Sequence, residues 1–122
     1  MFNLPLPPTG VNHAYSTNKG RWFKVKKLHD WENKCLQYLY DKITPTSGSV
    51  CLKIIFYDGD KRKRDIDGRI KSILDLFQKA GLYIDDSLVY HLEVFKNYDK
   101  ENPRVEIFCS RTGKCDMCQS SL

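Results

Sequence analysis

Two aspartates stand directly after the densest run of positive charge in this chain. Residues 61–71 read KRKRDIDGRIK, so four consecutive basic residues precede Asp65 and Asp67. If the backbone is extended there, side chains two residues apart point the same way, about 6.6 Å apart. Two carboxylates at that spacing can share one hard divalent cation such as Mg²⁺, which takes oxygen ligands. The pattern therefore predicts a metal site beside a clamp for a polyanion.

Helix capping is the simpler interpretation of Asp67 taken alone, because aspartate caps helix N-termini well. Asp65 is then an exposed acid paired with a neighbouring arginine. A calcium loop of the EF-hand type also begins Asp-x-Asp, but Arg69, Ile70 and Leu76 occupy its fifth, sixth and twelfth positions and do not fit. The calcium interpretation is excluded. For the pair of aspartates beside four cations, helix capping explains less than a metal site does.

A second acidic pair, Asp85 and Asp86, follows the next apolar periodic segment. Adjacent carboxylates are most often a solvated turn, so a functional role requires one of them to join the first pair. Lys71 lies one helical turn beyond Asp67. It either pairs with Asp67 or Asp75 in an i, i+4 contact or presents its ammonium to a phosphate.

The elements that must position these groups follow from apolar periodicity. Apolar residues recur at helical spacing in two segments, and a glycine at position 81 ends the second. The predicted helices cover about 26–43 and 68–80. Residues 9–22 are predicted to form a polar loop. The predicted strands cover 2–6, 50–58, 88–95 and 104–109.

This order, β-α-β-α-β-β, predicts a single α/β or α+β domain with a mixed β-sheet and two main helices. The middle β-α-β is a right-handed crossover if its strands are parallel neighbours. The length of 122 residues suits one compact domain, which we place at residues 1–110, with a flexible tail at 111–122. A monomer this short buries a smaller share of its surface than a larger protein does, which makes a dimer unsurprising.

The sequence offers no candidate for a membrane span or a signal peptide. No stretch approaches the roughly 20 apolar residues of a transmembrane helix. The start MFNLPLPPTG lacks the features of a signal peptide, so we predict a cytoplasmic protein. Cys35 and Cys51 fall in apolar segments and are expected to be buried thiols. Cys115 and Cys118 would need two more ligands for a zinc site, such as Cys109 and one from a partner, and free thiols are expected there instead.

The net charge of +5 supports a polyanionic partner because the basic residues are clustered. Taken alone, each cluster is better explained as a solvated face. Three aromatic residues near the polar loop, Tyr15, Trp22 and Phe23, either stack on unpaired bases or pack against the sheet. The residues predicted to contact DNA are Lys24, Lys26, Lys27, Lys61, Arg62, Lys63, Arg64 and Arg69.

The stretch RKRDIDGRIKSILDLFQKAGLYIDDSLV, residues 62–89, resembles the RusA family of Holliday-junction resolvases. That family combines a basic run, Asp-x-Asp at a helix start, a lysine on that helix, and Ala-Gly followed by Asp-Asp. Every element is present here at matching spacing. The opening LPLPPTGVNHAY, residues 4–15, is also similar to the start of the family, and the resemblance covers about residues 2–109.

The resemblance implies a small homodimeric, magnesium-dependent endodeoxyribonuclease. It implies paired nicks in four-way DNA junctions during recombination and repair, with Mn²⁺ as a substitute ion and no small-molecule cofactor. The family's three catalytic and metal-binding aspartates fall on Asp65, Asp67 and Asp86, and its catalytic lysine falls on Lys71. Gly68 departs from the family, which commonly has asparagine there, and the cysteine-bearing tail is not part of the family pattern.

Helix length adds a requirement for two subunits. A helix over residues 68–80 is roughly 20 Å long, so its two ends cannot easily bring their acids to one cation. A two-fold dimer with antiparallel second helices can. We therefore predict a composite site with Asp65 and Asp67 from one chain and Asp86 from the other.

Two other function classes stay open at this point. One is a non-catalytic DNA-binding module with the same fold and basic surface. The other is a metal-dependent nucleotidyl- or phosphotransferase with an Asp-x-Asp site, which should carry glycine-rich phosphate-binding signals that this sequence lacks. Cleavage of a four-way junction separates the nuclease from both.

Overall fold

A four-stranded mixed sheet with two helices forms the protein, in the predicted order β-α-β-α-β-β, and a separate hairpin is added to it. The computed structural model describes residues 1–8, 15–18, 21–24, 26–64 and 66–111, with only the backbone for 15–18 and 21–24. The helices are α1 (Lys26–Leu39) and α2 (Ile66–Lys79), and a short 3-10 helix covers Asp86–Leu88. The strands are β1 (Phe2–Leu4), β2 (Tyr15–Asn18), β3 (Arg21–Lys24), β4 (Val50–Asp58), β5 (Val89–Tyr98) and β6 (Arg104–Arg111).

The sheet has the strand order β1-β6-β4-β5, with β4 parallel to β5 and antiparallel to β6. The predicted bounds of β4 are confirmed, and its parallel pairing with β5 confirms the β-α-β unit. We call the end of the sheet where β4 stops at Asp58 the carboxyl end, and the end where it starts at Val50 the amino end. Both helices begin at the carboxyl end. For α1, the indole of Trp31 in the first half of the helix donates to the carbonyl of Pro5, just after β1, at 2.8 Å. Lys42, just past the end of α1, lines a cavity with Met1 and Val50 at the amino end.

The apolar stripes of both helices pack on one face of the sheet, which removes them from water. Cys35 and Cys51 are buried and outside disulfides, as predicted, and burial raises the pKa of Cys35 to about 12. No described helix is both long and apolar enough to cross a bilayer. The core includes Leu4, Leu28, Trp31, Leu39, Leu52, Ile54, Phe56, Ile73, Leu76, Phe77, Val105 and Ile107.

Several predicted boundaries are corrected by the structure. Helix α1 ends at Leu39 rather than residue 43, because Asp41 takes a left-handed conformation with φ 63°. The predicted polar loop, residues 9–22, contains β2 and the first half of β3, whose pairing outweighs the polar composition. Strand β5 continues to Tyr98, three residues beyond its predicted end, because the ladder with β4 runs that far. The predicted tail lies outside the described residues, apart from Arg111.

A glycine-based cap ends α2 and turns the chain back toward the sheet. Gly81 has φ 91°, its N–H donates to the carbonyl of Gln78 at 3.1 Å, and the N–H of Leu82 donates to that of Phe77 at 3.0 Å. These two bonds form a Schellman motif. The hydroxyl of Tyr83 then donates to the carbonyl of Leu74 at 2.7 Å. The cap thereby fixes the path of the segment that carries the second acidic pair.

Replacing Gly81 by alanine is expected to lower the free energy of unfolding by about 1–2 kcal/mol, because a side chain disfavours this left-handed backbone. No atom lies within 4 Å of the position of the new Cβ, so the effect is conformational rather than a clash. Denaturant unfolding measures it. Gly48→Ala is the matched control and should change stability little. Equal effects of the two changes would contradict this role of the cap.

Candidate active site

The carboxyl end presents an exposed carboxylate in the first turn of α2. Asp67 is the second residue of that helix, and the N–H of Gly68 donates to its Oδ1 at 2.9 Å. The interpretation of Asp67 as an N-cap is therefore wrong, although the helix dipole favours a carboxylate in the first turn. Lys71 lies one turn further along the same outward face, with its ammonium 3.4 Å from Asp75. Asp65 lies outside the described residues.

A buried ion pair joins the end of β4 to the start of α2. The guanidinium of Arg69 donates to both oxygens of Asp58, at 2.7 and 3.2 Å, and stacks 4.3 Å from the ring centre of Phe56. The Arg69 side chain is 2% exposed and that of Asp58 is 7% exposed. Arg69 was predicted to contact DNA. The structure corrects this assignment, because the guanidinium is enclosed and already paired with a carboxylate.

The basic segment between β4 and α2 is folded around a second carboxylate. Asp60 accepts hydrogen bonds from the guanidinium of Arg64, at 2.7 and 3.1 Å, and from the N–H of Arg62 at 3.0 Å. These bonds, the one from Arg64 above all, lower the pKa of Asp60 to about 2. The ammonium of Lys96 on β5 also donates to the Arg64 carbonyl at 2.7 Å. Arg64, predicted to contact DNA, is thus engaged within the protein.

The remaining basic side chains of the segment are exposed. Lys61, Arg62 and Lys63 all face solvent, which is what a phosphate contact requires. Lys26 and Lys27 are exposed at the start of α1, which also lies at the carboxyl end, and Lys26 is 3.0 Å from Asp30. The side chain of Lys24 lies outside the described residues, as do those of Tyr15, Trp22 and Phe23. A basic surface therefore surrounds the start of both helices.

The second acidic pair lies at the amino end of the sheet. The N–H of Asp86 donates to Oε1 of Gln78, near the end of α2, at 3.2 Å, and the hydroxyl of Ser87 donates to Asp85 at 2.9 Å. Both carboxylates are exposed. Burial, and next the charge of Asp86, raise the pKa of the Tyr83 hydroxyl. The cap of α2 therefore holds Asp86 close to the end of that helix.

Within one subunit, the predicted acidic residues of the site lie far apart. Gln78 follows Asp67 by eleven residues, which is about 16 Å along a helix axis. In the part of the chain that the structure describes, no cluster of three or more potential metal ligands occurs. Asp67 and Asp86 each offer exposed carboxylate oxygens, the ligand type that suits Mg²⁺, but they do so at opposite ends of α2.

Sequence comparison assigns the chain to a known family. The profile of the family described as Endodeoxyribonuclease RusA matches residues 5–109. The chain belongs to the RusA family. This result confirms the resemblance identified from the Asp-x-Asp and Asp-Asp segments, and it identifies the family's activity as that of a nuclease.

The RusA relatives span most of this chain at modest identity. The protein named Crossover junction endodeoxyribonuclease RusA from Aquifex aeolicus is 27% identical over 99 residues, covering 80% of this chain and 77% of the relative. The proteins of that name from Escherichia coli K12 and Enterobacteria phage 82 are each 26% identical over 112 residues, covering 90% of this chain and 92% of the relative.

The interactions that shape the site of this RusA chain were not identified from its sequence. Asp58 ends the predicted strand 50–58 and Asp60 follows it by two residues, and the sequence assigned neither of them a role. A signal for the buried pair was present, because Arg69 shares a helix face with Ile73 and Leu76 at i+4 and i+7. A charged residue on an apolar helix face indicates a buried partner. The contact between Lys96 and Arg64 left no such local signal.

Proposed function

We propose that this chain is a magnesium-dependent endodeoxyribonuclease that resolves four-way DNA junctions by paired nicks, in recombination and repair, as a homodimer. The observation that carries the proposal is the exposed Asp67 carboxylate next to the basic surface at the carboxyl end. Acids that hold a cation and bases that hold a polyanion meet there. The names of the RusA relatives, which specify crossover junctions, support the choice of substrate.

Asp65, Asp67 and Asp86 would hold the metal ion, as carboxylate oxygens suit Mg²⁺. When bound, such an ion supplies Lewis-acid polarisation of a phosphoryl oxygen and an activated water. Lys71 adds a positive charge where negative charge develops during attack on the phosphate. Lys61, Arg62 and Lys63 would neutralise the flanking phosphates, which gives affinity that does not depend on sequence.

The homodimer follows from the separation of the acids. Asp67, Lys71 and Gln78 share the outward face of α2, and Gln78 holds the backbone of Asp86 at the far end. A two-fold axis that sets two α2 helices antiparallel brings the start of each helix next to the end of the other. Two sites then form about one helix length apart, which suits nicks in two strands.

Purified protein is expected to nick a synthetic four-way junction with Mg²⁺ or Mn²⁺ and to leave it intact in a chelator. A linear duplex of the same sequence should resist cleavage. Asp67→Asn should lower the cleavage rate by about 10²-fold or more, since lost ligands weaken metal sites strongly. Gel assays measure the nicking of the junction by each protein and, separately, the binding of each protein to the junction.

The matched control is Asp41→Asn, at an exposed aspartate just past the end of α1 whose left-handed backbone asparagine also tolerates. It should cleave like the unchanged protein. Junction binding without cleavage in either metal ion would reject the nuclease and favour the non-catalytic DNA-binding module.

A further inference from the structure

The face of the sheet opposite the helices, which we call the open face, is buried at its amino end and exposed further along. Cys51 belongs to this face, because its neighbours Val50 and Leu52 point into the helix-covered core, yet Cys51 is 0% exposed. Phe108 and Phe95 lie on the same face nearer the carboxyl end and are 38% and 45% exposed. Paired strands lie beside a side chain and not above it. The burial of Cys51 therefore indicates a cover over the amino end of the open face.

A histidine lies next to Cys51 on the open face. His91 of β5 is the register partner of Cys51 in the parallel ladder, so the two side chains point the same way from strands about 4.8 Å apart. A thiolate and an imidazole in this arrangement can bind one Zn²⁺. Nε2 of His91 lies 3.2 Å from Oε2 of Glu93. A carboxylate on one ring nitrogen orients a metal-binding histidine, and Nδ1 is then the nitrogen that would bind the ion.

Cys109 lies apart from this pair. It is the register partner of Leu52 and packs against the core on the helix-covered face. Cys51 and Cys109 are thus on opposite faces of the sheet and cannot bind the same ion. A zinc site on the open face therefore needs its further ligands from another part of the chain.

The chain that follows β6 supplies a second pair of ligands. Strand β6 reaches the amino end at Ser110, the register partner of Cys51. Residues 112–122 follow, and they contain Cys115 and Cys118 as a Cys-x-x-Cys pair, a common half of a zinc site. The five residues from Ser110 to Cys115 span at most about 17 Å, whereas adjacent strands are about 4.8 Å apart. The Cys-x-x-Cys pair is therefore within reach of Cys51 and its histidine neighbour.

The segment after β1 is the other candidate for the cover. Leu4, the last residue of β1, is in register with Val105, which is in register with Phe56 near the end of β4. The chain therefore leaves β1 toward the carboxyl end, away from Cys51. Residues 9–14 contain His13 but no cysteine. Both the direction of the chain and the ligand types favour residues 112–122.

We infer that Cys51, His91, Cys115 and Cys118 bind one Zn²⁺, which fastens residues 112–122 over the amino end of the open face. Three thiolates and one imidazole form a tetrahedral ligand set that is typical of structural zinc sites. Each thiol gives up its proton when it binds, so one Zn²⁺ displaces three protons. The zinc site lies on the opposite face of the sheet from α2, so it is separate from the proposed magnesium site.

Metal analysis tests the ligand set. The full chain, purified without a metal-affinity tag, is expected to contain about one zinc ion per chain by atomic emission. Cys115→Ser and His91→Asn should each lower the zinc content by about 10-fold or more, because each removes a ligand. Cys109→Ser is the matched control and should retain the zinc. A chain without zinc would overturn the inference, as would loss of zinc in the control together with retention in His91→Asn.

Cobalt substitution counts the thiolates in the unchanged protein, so its result does not depend on the folding of a variant. Tetrahedral Co²⁺ with three thiolates should give strong sulfur-to-metal charge-transfer absorption in the near ultraviolet. Cys118→Ser should lower that absorption by about a third, since one of three thiolates is lost. An octahedral spectrum of the unchanged protein, or the same absorption in Cys118→Ser, would overturn the four-ligand site.

Limited proteolysis tests where the metal acts. Trypsin can cleave after Lys114, directly before Cys115. Removal of zinc by a chelator should accelerate this cleavage by about 10-fold or more, because the segment is ordered by the metal. Cleavage after Lys100, an exposed residue between β5 and β6, is the matched control and should keep its rate. Equal acceleration at both positions, or none at Lys114, would overturn the inference. These measurements use neither DNA nor Mg²⁺, so they are independent of the proposed function.

Discussion

Mixing Asp67→Asn protein with Asp86→Asn protein is expected to restore junction nicking that neither variant shows alone. Each heterodimer contains one site with both changes and one site with neither, because each site takes Asp67 from one chain and Asp86 from the other. Random exchange makes half of the dimers mixed, so roughly a quarter of all sites are intact. With one intact site per dimer, the product should be a nick in one strand rather than a pair of cuts.

The measurement is a nicking assay on a labelled four-way junction after the two variants have been refolded together. Asp67→Asn mixed with Asp65→Asn is the matched control, since both changes fall on the same half of the composite site. That mixture should stay inactive. Activity in the control, or none in the test mixture, would contradict a site shared between subunits.

Arg69→Leu is expected to lower the free energy of unfolding by about 3–5 kcal/mol, the range for removing one partner of a buried ion pair. The cause is the Asp58 carboxylate, which would stay in the interior without the two hydrogen bonds that Arg69 now supplies. Because this pair joins β4 to the first turn of α2, the variant also loosens the element that carries Asp67. Denaturant unfolding monitored by circular dichroism measures the loss.

Two further variants test whether the loss of stability comes from the buried ion pair. Asp58→Leu combined with Arg69→Leu should recover most of the stability, because an apolar pair of similar volume leaves no buried charge. Arg64→Leu removes the corresponding ion pair with Asp60, which is partly exposed to solvent, and its effect should be much smaller. A loss for Arg69→Leu no larger than that for Arg64→Leu would show that the buried pair does not hold the helix in place.

The sequence by itself determined the elements that carry the candidate site. The alternating and apolar pattern of VCLKIIFYD defined β4 to the residue, and helical spacing located α2 to within two residues. Since a helix rises by a constant 1.5 Å per residue, the distance between Asp67 and the end of its helix followed from counting. The motif residues also identified the family, because the spacing of such residues is itself a property of the sequence.

Only the tertiary structure decided which charged side chains are buried in ion pairs and which face solvent. Arg62 and Arg69 both lie in the basic stretch 61–71. Arg62 is exposed, whereas Arg69 is enclosed by Asp58 and Phe56. The exposed edge of β5 likewise depends on the strand order β1-β6-β4-β5. These features arise from contacts between residues distant in the chain. Local periodicity reports which face of an element is apolar, but not which partner that face meets.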